Sequence, residues 1–131
     1  MQINPAEFKL LVVDDVQTNV LLLKALLGKE GYGILVANNG QEALEVIRNE
    51  NPDLILLDVM MPGMDGIECC RRLKSELQTC HIPVILLTAC SLDEQRIQGY
   101  DGGADSYISK PFSSQLLLAR VRNLIDSHRR L

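Results

Sequence analysis

One stretch, residues 54–66, constrains the fold of this chain more than any other. Four aliphatic residues lead directly into Asp58, and a turn rich in proline, glycine and aspartate follows and ends at Gly66. A continuous apolar run bounded by turn residues is typical of a strand that is buried on both faces, as a parallel sheet requires. We therefore expect Asp58 at the carboxyl end of this strand, the edge at which ligands bind in open α/β sheets.

The chain repeats the order of strand and then helix five times. Strands are predicted at residues 9–13, 32–37, 54–58, 83–88 and 105–109. Short connections between alternating strands and helices favour a parallel sheet with helices on both faces and right-handed crossovers. Among doubly wound sheets, the flavodoxin-like strand order 2-1-3-4-5 suits five strands best. The predicted fold class is therefore α/β, with five strands and five helices in a single domain over residues 1–131, whose core spans about residues 8–128.

Helices are predicted from caps and from apolar residues at helical spacing. The predicted N-caps of the second to fifth helices are Asn39, Asp65, Ser91 and Ser113. The residues predicted to face inward are Val16, Val20, Leu23 and Leu27 in the first helix, Ile67, Cys70, Leu73 and Leu77 in the third, and Leu117, Val121 and Leu124 in the fifth. The side chains expected to face water in the fifth helix are Arg120, Arg122, Arg129 and Arg130. The fourth helix has few large apolar residues and runs into three glycines, so we expect it to be the most mobile element.

Composition excludes several classes of protein. The chain has 131 residues and a net charge of −4, which gives no electrostatic reason to expect direct binding to nucleic acid. No apolar run approaches the roughly 20 residues of a membrane span, and no signal peptide is visible. We expect a cytoplasmic domain without membrane contact, or the cytoplasmic part of a membrane-bound protein. The cysteines at positions 69, 70, 80 and 90 lack a zinc spacing and are predicted to be free thiols in a reducing compartment.

Polar residues end four of the five predicted strands: Asp14 with Asp15, then Asp58, Thr88 and Lys110. Each has an ordinary explanation by itself, but a parallel sheet brings them all to one edge. Carboxylates about 4–6 Å apart repel one another by about 4 kcal/mol for each close pair, and one lysine cannot neutralise three of them. A hard divalent cation such as Mg²⁺ can. A carboxylate can also act as a nucleophile and form an aspartyl phosphate, which a lysine and a hydroxyl would stabilise.

Together these residues resemble the receiver domain of two-component response regulators. The resemblance covers about residues 8–128 and is carried by Asp14-Asp15, by Asp58 with the Met-Pro-Gly-Met-Asp-Gly segment after it, by Thr88-Ala89 and by Lys110-Pro111. It implies that Asp58 accepts a phosphoryl group from a histidine kinase or a histidine phosphotransfer domain in a phosphorelay. The implied Mg²⁺ ligands are Asp14, Asp15, Asp58 and the backbone carbonyl of Met60, with Asp14 acting mainly through a coordinated water.

The resemblance also implies a switch and a lifetime for the phosphorylated state. Thr88, Lys110 and the backbone of Ala89 would contact the phosphoryl group, and the bond before Pro111 would be cis. Thr88 and Tyr107 would then move, altering a surface made of the fourth helix, the fifth strand and the fifth helix that serves partners or homodimerisation. The residues that tune dephosphorylation in such domains are here Met60 and Cys90. Neither orients an attacking water well, so we predict slow self-dephosphorylation.

Two other functions are compatible with parts of this pattern. A small Mg²⁺-dependent phosphohydrolase similar to the haloacid dehalogenase group would also use an aspartyl phosphate, but it needs a second acid where this chain has Met60. A receiver-like interaction module would not need phosphorylation, and the complete acidic set argues against it. The resemblance therefore implies a signalling domain that autocatalyses its own phosphorylation and dephosphorylation and is not otherwise an enzyme. The end of the chain is similar to receivers within hybrid histidine kinases, which favours a fragment of such a kinase over a stand-alone regulator.

Overall fold

The computed structural model describes residues 4–88 and 103–129. A short 3₁₀ turn at Pro5–Glu7 precedes the first strand. The strands are β1 (Lys9–Val13), β2 (Gly33–Ala37), β3 (Leu54–Asp58), β4 (Val84–Thr88) and β5 (Ser106–Ser109). The helices are α1 (Gln17–Lys29), α2 (Gly40–Glu50), α3 (Gly66–Ser75) and a C-terminal helix (Ser114–Arg129). The predicted fourth helix, which begins near Ser91, lies outside the described residues, so four of the five predicted helices are present in the described part.

The five strands form one parallel sheet in the order β2-β1-β3-β4-β5, which confirms the predicted strand order. Their registers align the carboxyl ends. Val13 lies opposite both Ala37 and Leu57, and Asp58 lies opposite Leu87. One edge of the sheet therefore gathers the residues that end or follow these strands.

Alternating side chains of the central strands build two apolar clusters, one on each face of the sheet. In β1, Leu11 and Val13 face the cluster that contains α2 and α3, whereas Leu10 and Val12 face the cluster that contains α1 and the C-terminal helix. All five residues of β3 and of β4 are buried. Burial on both faces explains why these strands are continuous apolar runs without an exposed alternate position.

The predicted caps are confirmed at α2 and α3. Asn39 Oδ1 accepts a hydrogen bond from the backbone N–H of Glu42 at 2.8 Å, and Asp65 Oδ1 accepts one from Glu68 at 2.8 Å. The Glu42 carboxylate accepts in turn from the backbone N–H of Asn38 at 3.3 Å, one residue earlier than a capping box requires. Local hydrogen bonding therefore fixes where both helices begin.

Two predicted side-chain positions are wrong. Leu77 does not face inward: it is 94% exposed, because α3 ends before it. Val16 is 45% exposed, because it is the residue that precedes the first turn of α1 and not part of its inner stripe. Arg120 is exposed, as predicted, and its guanidinium also donates a hydrogen bond to the hydroxyl of Ser106.

The cysteines of the described region are free thiols. Cys70 fills the core as predicted, and Cys69 is equally buried. Burial raises the pKa of the Cys69 thiol to about 12 and that of Cys70 to about 11, so neither is a reactive thiolate at neutral pH. Within the described ranges, no helix is long and apolar enough to cross a membrane.

The contrast between Leu73 and Leu77 gives a test of this packing. Leu73 is 1% exposed. We expect Leu73→Ala to lower the free energy of unfolding by about 2–5 kcal/mol, because the variant loses buried apolar surface and leaves a cavity. Leu77→Ala is the matched control and should change it by less than about 0.5 kcal/mol. Urea unfolding followed by circular dichroism measures both. Equal losses of unfolding free energy in the two variants would contradict the end of α3 at Ser75.

Candidate functional site

The carboxyl edge of the sheet brings together side chains that end β3 and β4 and side chains that follow β1 and β5. Thr88, the last residue of β4, is fully buried and lies opposite Ser109. The next residue, Lys110, donates its backbone N–H to the Thr88 carbonyl at 2.7 Å, which continues the ladder by one step beyond the strand. The Lys110 side chain is thereby directed across the end of β4 toward Asp58.

Three carboxylates form a cluster at this edge. Asp14, Asp15 and Asp58 each offer an oxygen within 4.8 Å of the others. Asp14 is fully buried and Asp58 is 4% exposed, whereas Asp15 is exposed. Burial strengthens the repulsion between like charges because less water screens them. The spacing predicted from the parallel sheet is therefore present, and the cluster is electrostatically costly unless a cation offsets it.

Asp14 is held by two hydrogen bonds from the start of α1. Its Oδ1 accepts from the backbone N–H of Val16 at 2.9 Å, and its Oδ2 accepts from Asn19 Nδ2 at 3.2 Å. Sequence reasoning missed Asn19. The available signal was its place in the first turn of the helix that follows the Asp14-Asp15 pair, where a side chain can reach back to the strand end.

Lys110 is the cation that compensates the cluster in this structure. Its Nζ lies 2.9 Å from Asp58 Oδ1 and 3.6 Å from Asp14 Oδ2. Burial raises the pKa of the Asp58 carboxyl above its usual value; the hydrogen bond from Lys110 opposes this shift and the charge of Asp14 adds to it. The peptide bond between Lys110 and Pro111 is cis.

Gly66 allows the chain to turn from β3 into α3 without displacing Asp58. A Cβ at position 66 would overlap the carbonyl oxygen of Asp58, and the Gly66 N–H donates to the carbonyl of Val59 at 3.0 Å. Because the obstructing atoms belong to the backbone, no side-chain rotation could relieve the contact. The start of α3 therefore lies directly against the residue that carries the central carboxylate.

The other predicted site residues are distributed around this cluster. Met60 follows β3 and its side chain is 61% exposed. Tyr107 is half-buried in β5 and packs against the apolar cluster of α2 and α3. The predicted roles of Ala89 and Cys90 fall on residues outside the described part of the chain.

Asp14 and Asp58 differ in the hydrogen bonds that their carboxylates accept. Asp14 has both oxygens occupied by donors from α1 and has no exposed surface. Asp58 Oδ1 is bonded to Lys110, and its Oδ2 accepts no hydrogen bond from the residues that the structure describes. A hydrogen bond lowers the nucleophilicity of the oxygen that accepts it, so Oδ2 of Asp58 is better suited than either oxygen of Asp14 to attack an electrophile at this edge.

Comparison with known proteins identifies the family. The family model of the response regulator receiver domain matches residues 10–122. This chain belongs to the response regulator receiver domain family. Such domains act as phosphoacceptor modules in two-component signalling and interact with histidine kinases or phosphotransfer proteins, and the acidic residues of the pocket are present here.

Individual relatives agree with this membership. Response regulator PleD of Caulobacter vibrioides is 49% identical over 116 residues, which are 88% of this chain and 26% of PleD. The signal receiver domain of a signal transduction histidine kinase from Syntrophus aciditrophicus is 37% identical, with a TM-score of 0.89 over 95% of this chain and 94% of that one. The receiver domain of Francisella response regulator 1452 is 38% identical, with a TM-score of 0.84 over 92% and 98%. The receiver fold therefore accounts for nearly all of the chain, while the chain spans about a quarter of the length of PleD.

The raised pKa of Asp58 predicts how the receiver's stability depends on pH. A carboxyl whose pKa is higher in the folded state than in the unfolded chain favours folding below its ordinary pKa, and this contribution is lost as the pH rises through the folded value. Asp58→Asn removes the cost of the ionised form. We therefore expect Asp58→Asn to unfold at a higher urea concentration than wild type at neutral pH in a chelating buffer, with a difference that shrinks as the pH falls toward 4.

The control is Asp65→Asn, because asparagine caps a helix as well as aspartate and Asp65 lies in the loop before α3, outside the carboxylate cluster. Its stability should follow wild type across the same pH range. A neutral-pH stability of Asp58→Asn at or below wild type would contradict the electrostatic cost assigned to Asp58.

Proposed function

We propose that this receiver domain takes a phosphoryl group from a phosphohistidine onto Asp58, with Mg²⁺ at the acidic cluster, and releases it slowly. The proposal rests on one observation. Oxygens of three carboxylates lie within 4.8 Å of one another, and the Nζ of Lys110 lies 2.9 Å from Oδ1 of Asp58. The phosphohistidine belongs to a histidine kinase or to a histidine phosphotransfer domain. The receiver acts on no separate substrate and catalyses only its own phosphorylation and dephosphorylation.

The chemistry of the donor set supports Mg²⁺ as the cation. Asp14, Asp15 and Asp58 supply hard oxygen atoms with a formal charge that Lys110 alone cannot balance, and Mg²⁺ prefers such ligands while keeping several waters. Asp15 and Asp58, with the backbone carbonyl of Met60, would hold the ion directly. When bound, Mg²⁺ offsets the charge of the carboxylates and of the phosphoryl oxygens.

In the transfer step, an oxygen of Asp58 forms a bond to phosphorus while the bond between phosphorus and the donor's imidazole nitrogen breaks. The electron pair of the broken bond returns to the imidazole. Lys110 exchanges its bond to Asp58 Oδ1 for one to a phosphoryl oxygen. The Thr88 hydroxyl and the backbone N–H of Ala89 would bind the remaining oxygens, so positioned donors stabilise the charge of the transition state.

The response would be read at β5 and the C-terminal helix. Movement of Thr88 toward the phosphoryl group would draw Tyr107 further inward from its half-buried position. The surface formed by the predicted fourth helix, β5 and the C-terminal helix would then change, and it would bind a downstream partner or a second copy of the chain. Moving such a two-state equilibrium from mostly off to mostly on requires about 5 kcal/mol of differential binding.

Two further aspects of the proposal concern the setting of the domain. Free thiols at Cys69, Cys70 and Cys80 support a reducing compartment and hence the cytoplasm. Similarity to a receiver named as part of a histidine kinase supports an origin within a hybrid kinase. A phosphohydrolase is disfavoured because the exposed Met60 side chain cannot transfer a proton.

Incubation with a small phosphodonor and Mg²⁺, followed by intact mass spectrometry, tests the proposal. We expect wild type to gain the mass of one phosphoryl group and Asp58→Asn to gain none, because the nucleophile is absent. Asp65→Asn keeps its helix cap and should be phosphorylated at a rate within about twofold of wild type. A phosphoryl group that persists in Asp58→Asn would refute the assignment of the acceptor.

The predicted lifetime is tested separately by the decay of the phosphorylated protein in the presence of Mg²⁺. Met60→Asn combined with Cys90→Glu introduces polar groups able to orient an attacking water, and we expect decay to become at least about tenfold faster. Leu77→Asn is the control, because Leu77 is exposed and lies beyond the end of α3. Unchanged or slower decay in the double variant would contradict the role given to positions 60 and 90.

A further inference from the structure

Lys74 is the most fully bonded basic side chain outside the acidic site in the described part of the chain. Its side chain is 17% exposed, and its Nζ donates to the carbonyl of Cys80 at 3.2 Å, the carbonyl of Ile82 at 2.7 Å and Asp105 Oδ2 at 2.9 Å. A lysine ammonium has three protons, so all of its donors are used. Exposed ion pairs contribute little to stability, but this one is shielded from solvent and tied to backbone carbonyls.

Asp105 connects this lysine to the sheet. The same Oδ2 atom accepts from the backbone N–H of Val84 at 2.8 Å, and the Asp105 N–H donates to the carbonyl of Val84 at 3.0 Å. Asp105 therefore bonds both backbone groups of the first residue of β4. The ladder between β4 and β5 continues directly from this point, beginning with Ile85 opposite Ser106.

Ser106, the first residue of β5, is held from the opposite face of the sheet. Ser106 is 7% exposed, and its hydroxyl accepts a hydrogen bond from the guanidinium of Arg120 in the C-terminal helix. Gly103 has a φ of +82°, and a Cβ at this position would lie 3.1 Å from Cγ of Lys74, which is tighter than an ordinary van der Waals contact. Glycine therefore lets the backbone pass close to the aliphatic stem of Lys74. The start of β5 is therefore fixed by one basic side chain from each helical layer.

β5 needs such fixation more than the central strands β1, β3 and β4. It is an edge strand of four residues, β4 is its one neighbour among the described strands, and Ile108 is its only buried large apolar residue. A slip of one residue would reverse the faces of Tyr107 and Ile108 and move Lys110 by about 3.3 Å along the strand. Since Lys110 Nζ lies 2.9 Å from Asp58 Oδ1, that movement would break the contact.

We propose that Lys74 and Asp105 form a register clasp, a positioning pair that holds β5 in the register at which Lys110 reaches Asp58. The clasp acts at the amino end of β5 and the acidic site lies at its carboxyl end, so neither residue touches the phosphoryl group. The importance of the clasp for phosphorylation rests on the proposed function, whereas its control of the register does not.

The test variant is Lys74→Met, which keeps most of the apolar stem and removes the ammonium. The control is Lys9→Met, because Lys9 makes an ion pair of 3.6 Å with Glu50 in which both side chains are about half exposed. Amide hydrogen exchange in the unphosphorylated proteins reports how often the hydrogen bonds between β4 and β5 open, including the one from the Lys110 N–H to the Thr88 carbonyl. We expect the amides of Ile108 and Lys110 to exchange at least about tenfold faster in Lys74→Met and within about twofold of wild type in Lys9→Met.

Two functional measurements separate positioning from a general loss of stability. The rate of phosphorylation by a small phosphodonor should fall at least about tenfold in Lys74→Met, because misplacement of a catalytic group by an ångström or more is costly. The Mg²⁺ affinity, measured by calorimetry, should not fall, because Asp14 and Asp15 follow β1 and Asp58 ends β3, so none of the three depends on the register of β5. Asp105→Asn, which retains an acceptor for the Val84 N–H, replaces Lys74→Met if the latter does not fold, with the same expected directions.

Normal exchange at Ile108 and Lys110 in a folded Lys74→Met protein would overturn the clasp. Faster exchange with an unchanged phosphorylation rate would limit the pair to a structural role and would also overturn the proposal. If wild type itself gains no phosphoryl group, the proposed function fails, while the exchange measurement still decides whether the clasp sets the register.

Discussion

Repulsion among three carboxylates at one edge of the sheet is the cost that the rest of the structure must offset. At an effective dielectric constant near 20, each close pair costs about 4 kcal/mol before compensation. Two apolar clusters, one on each face of the sheet, hold β1 and β3 side by side despite this cost. Lys110 offsets part of it by lying 2.9 Å from Asp58 and 3.6 Å from Asp14. The stability of the hydrophobic core therefore maintains a site that concentrates negative charge and is suited to binding a cation.

The three carboxylates are unequal because their surroundings differ. Donors from α1 occupy both oxygens of Asp14 and fix its orientation, which suits a ligand that must not react. Asp58 ends the central strand, and among the described residues Lys110 is the only donor to its carboxylate. Gly66 keeps the helix that follows from displacing this carboxylate. Hydrogen bonding and burial therefore distinguish Asp14 from Asp58, although the two side chains are chemically identical.

Local and periodic features were predictable from the sequence, and contacts between distant segments were not. An uninterrupted apolar run predicted that β3 is buried on both faces and that Asp58 lies at its end. Together with the alternation of strands and helices, this run predicted the strand order and the carboxylate cluster. Leu77 has helical spacing but lies beyond the end of its helix, because periodicity does not locate a terminus. The bond of Asn19 to Asp14 depends on how α1 leaves its strand. The ion pair of Lys74 with Asp105 joins residues 31 positions apart, and only the tertiary structure brings them together.

Chemical mapping of the phosphorylated residue tests the central claim most directly. Borohydride reduces an acyl phosphate to an alcohol, and tandem mass spectrometry of the digested protein then locates the altered aspartate. We expect reduction at Asp58 alone, with Asp14 and Asp15 unchanged, because only Asp58 combines an available oxygen with a lysine that stabilises the transferred group. Reduction at Asp14 or Asp15, or a phosphoryl group retained on a histidine of this chain, would contradict the assignment of Asp58 as the acceptor.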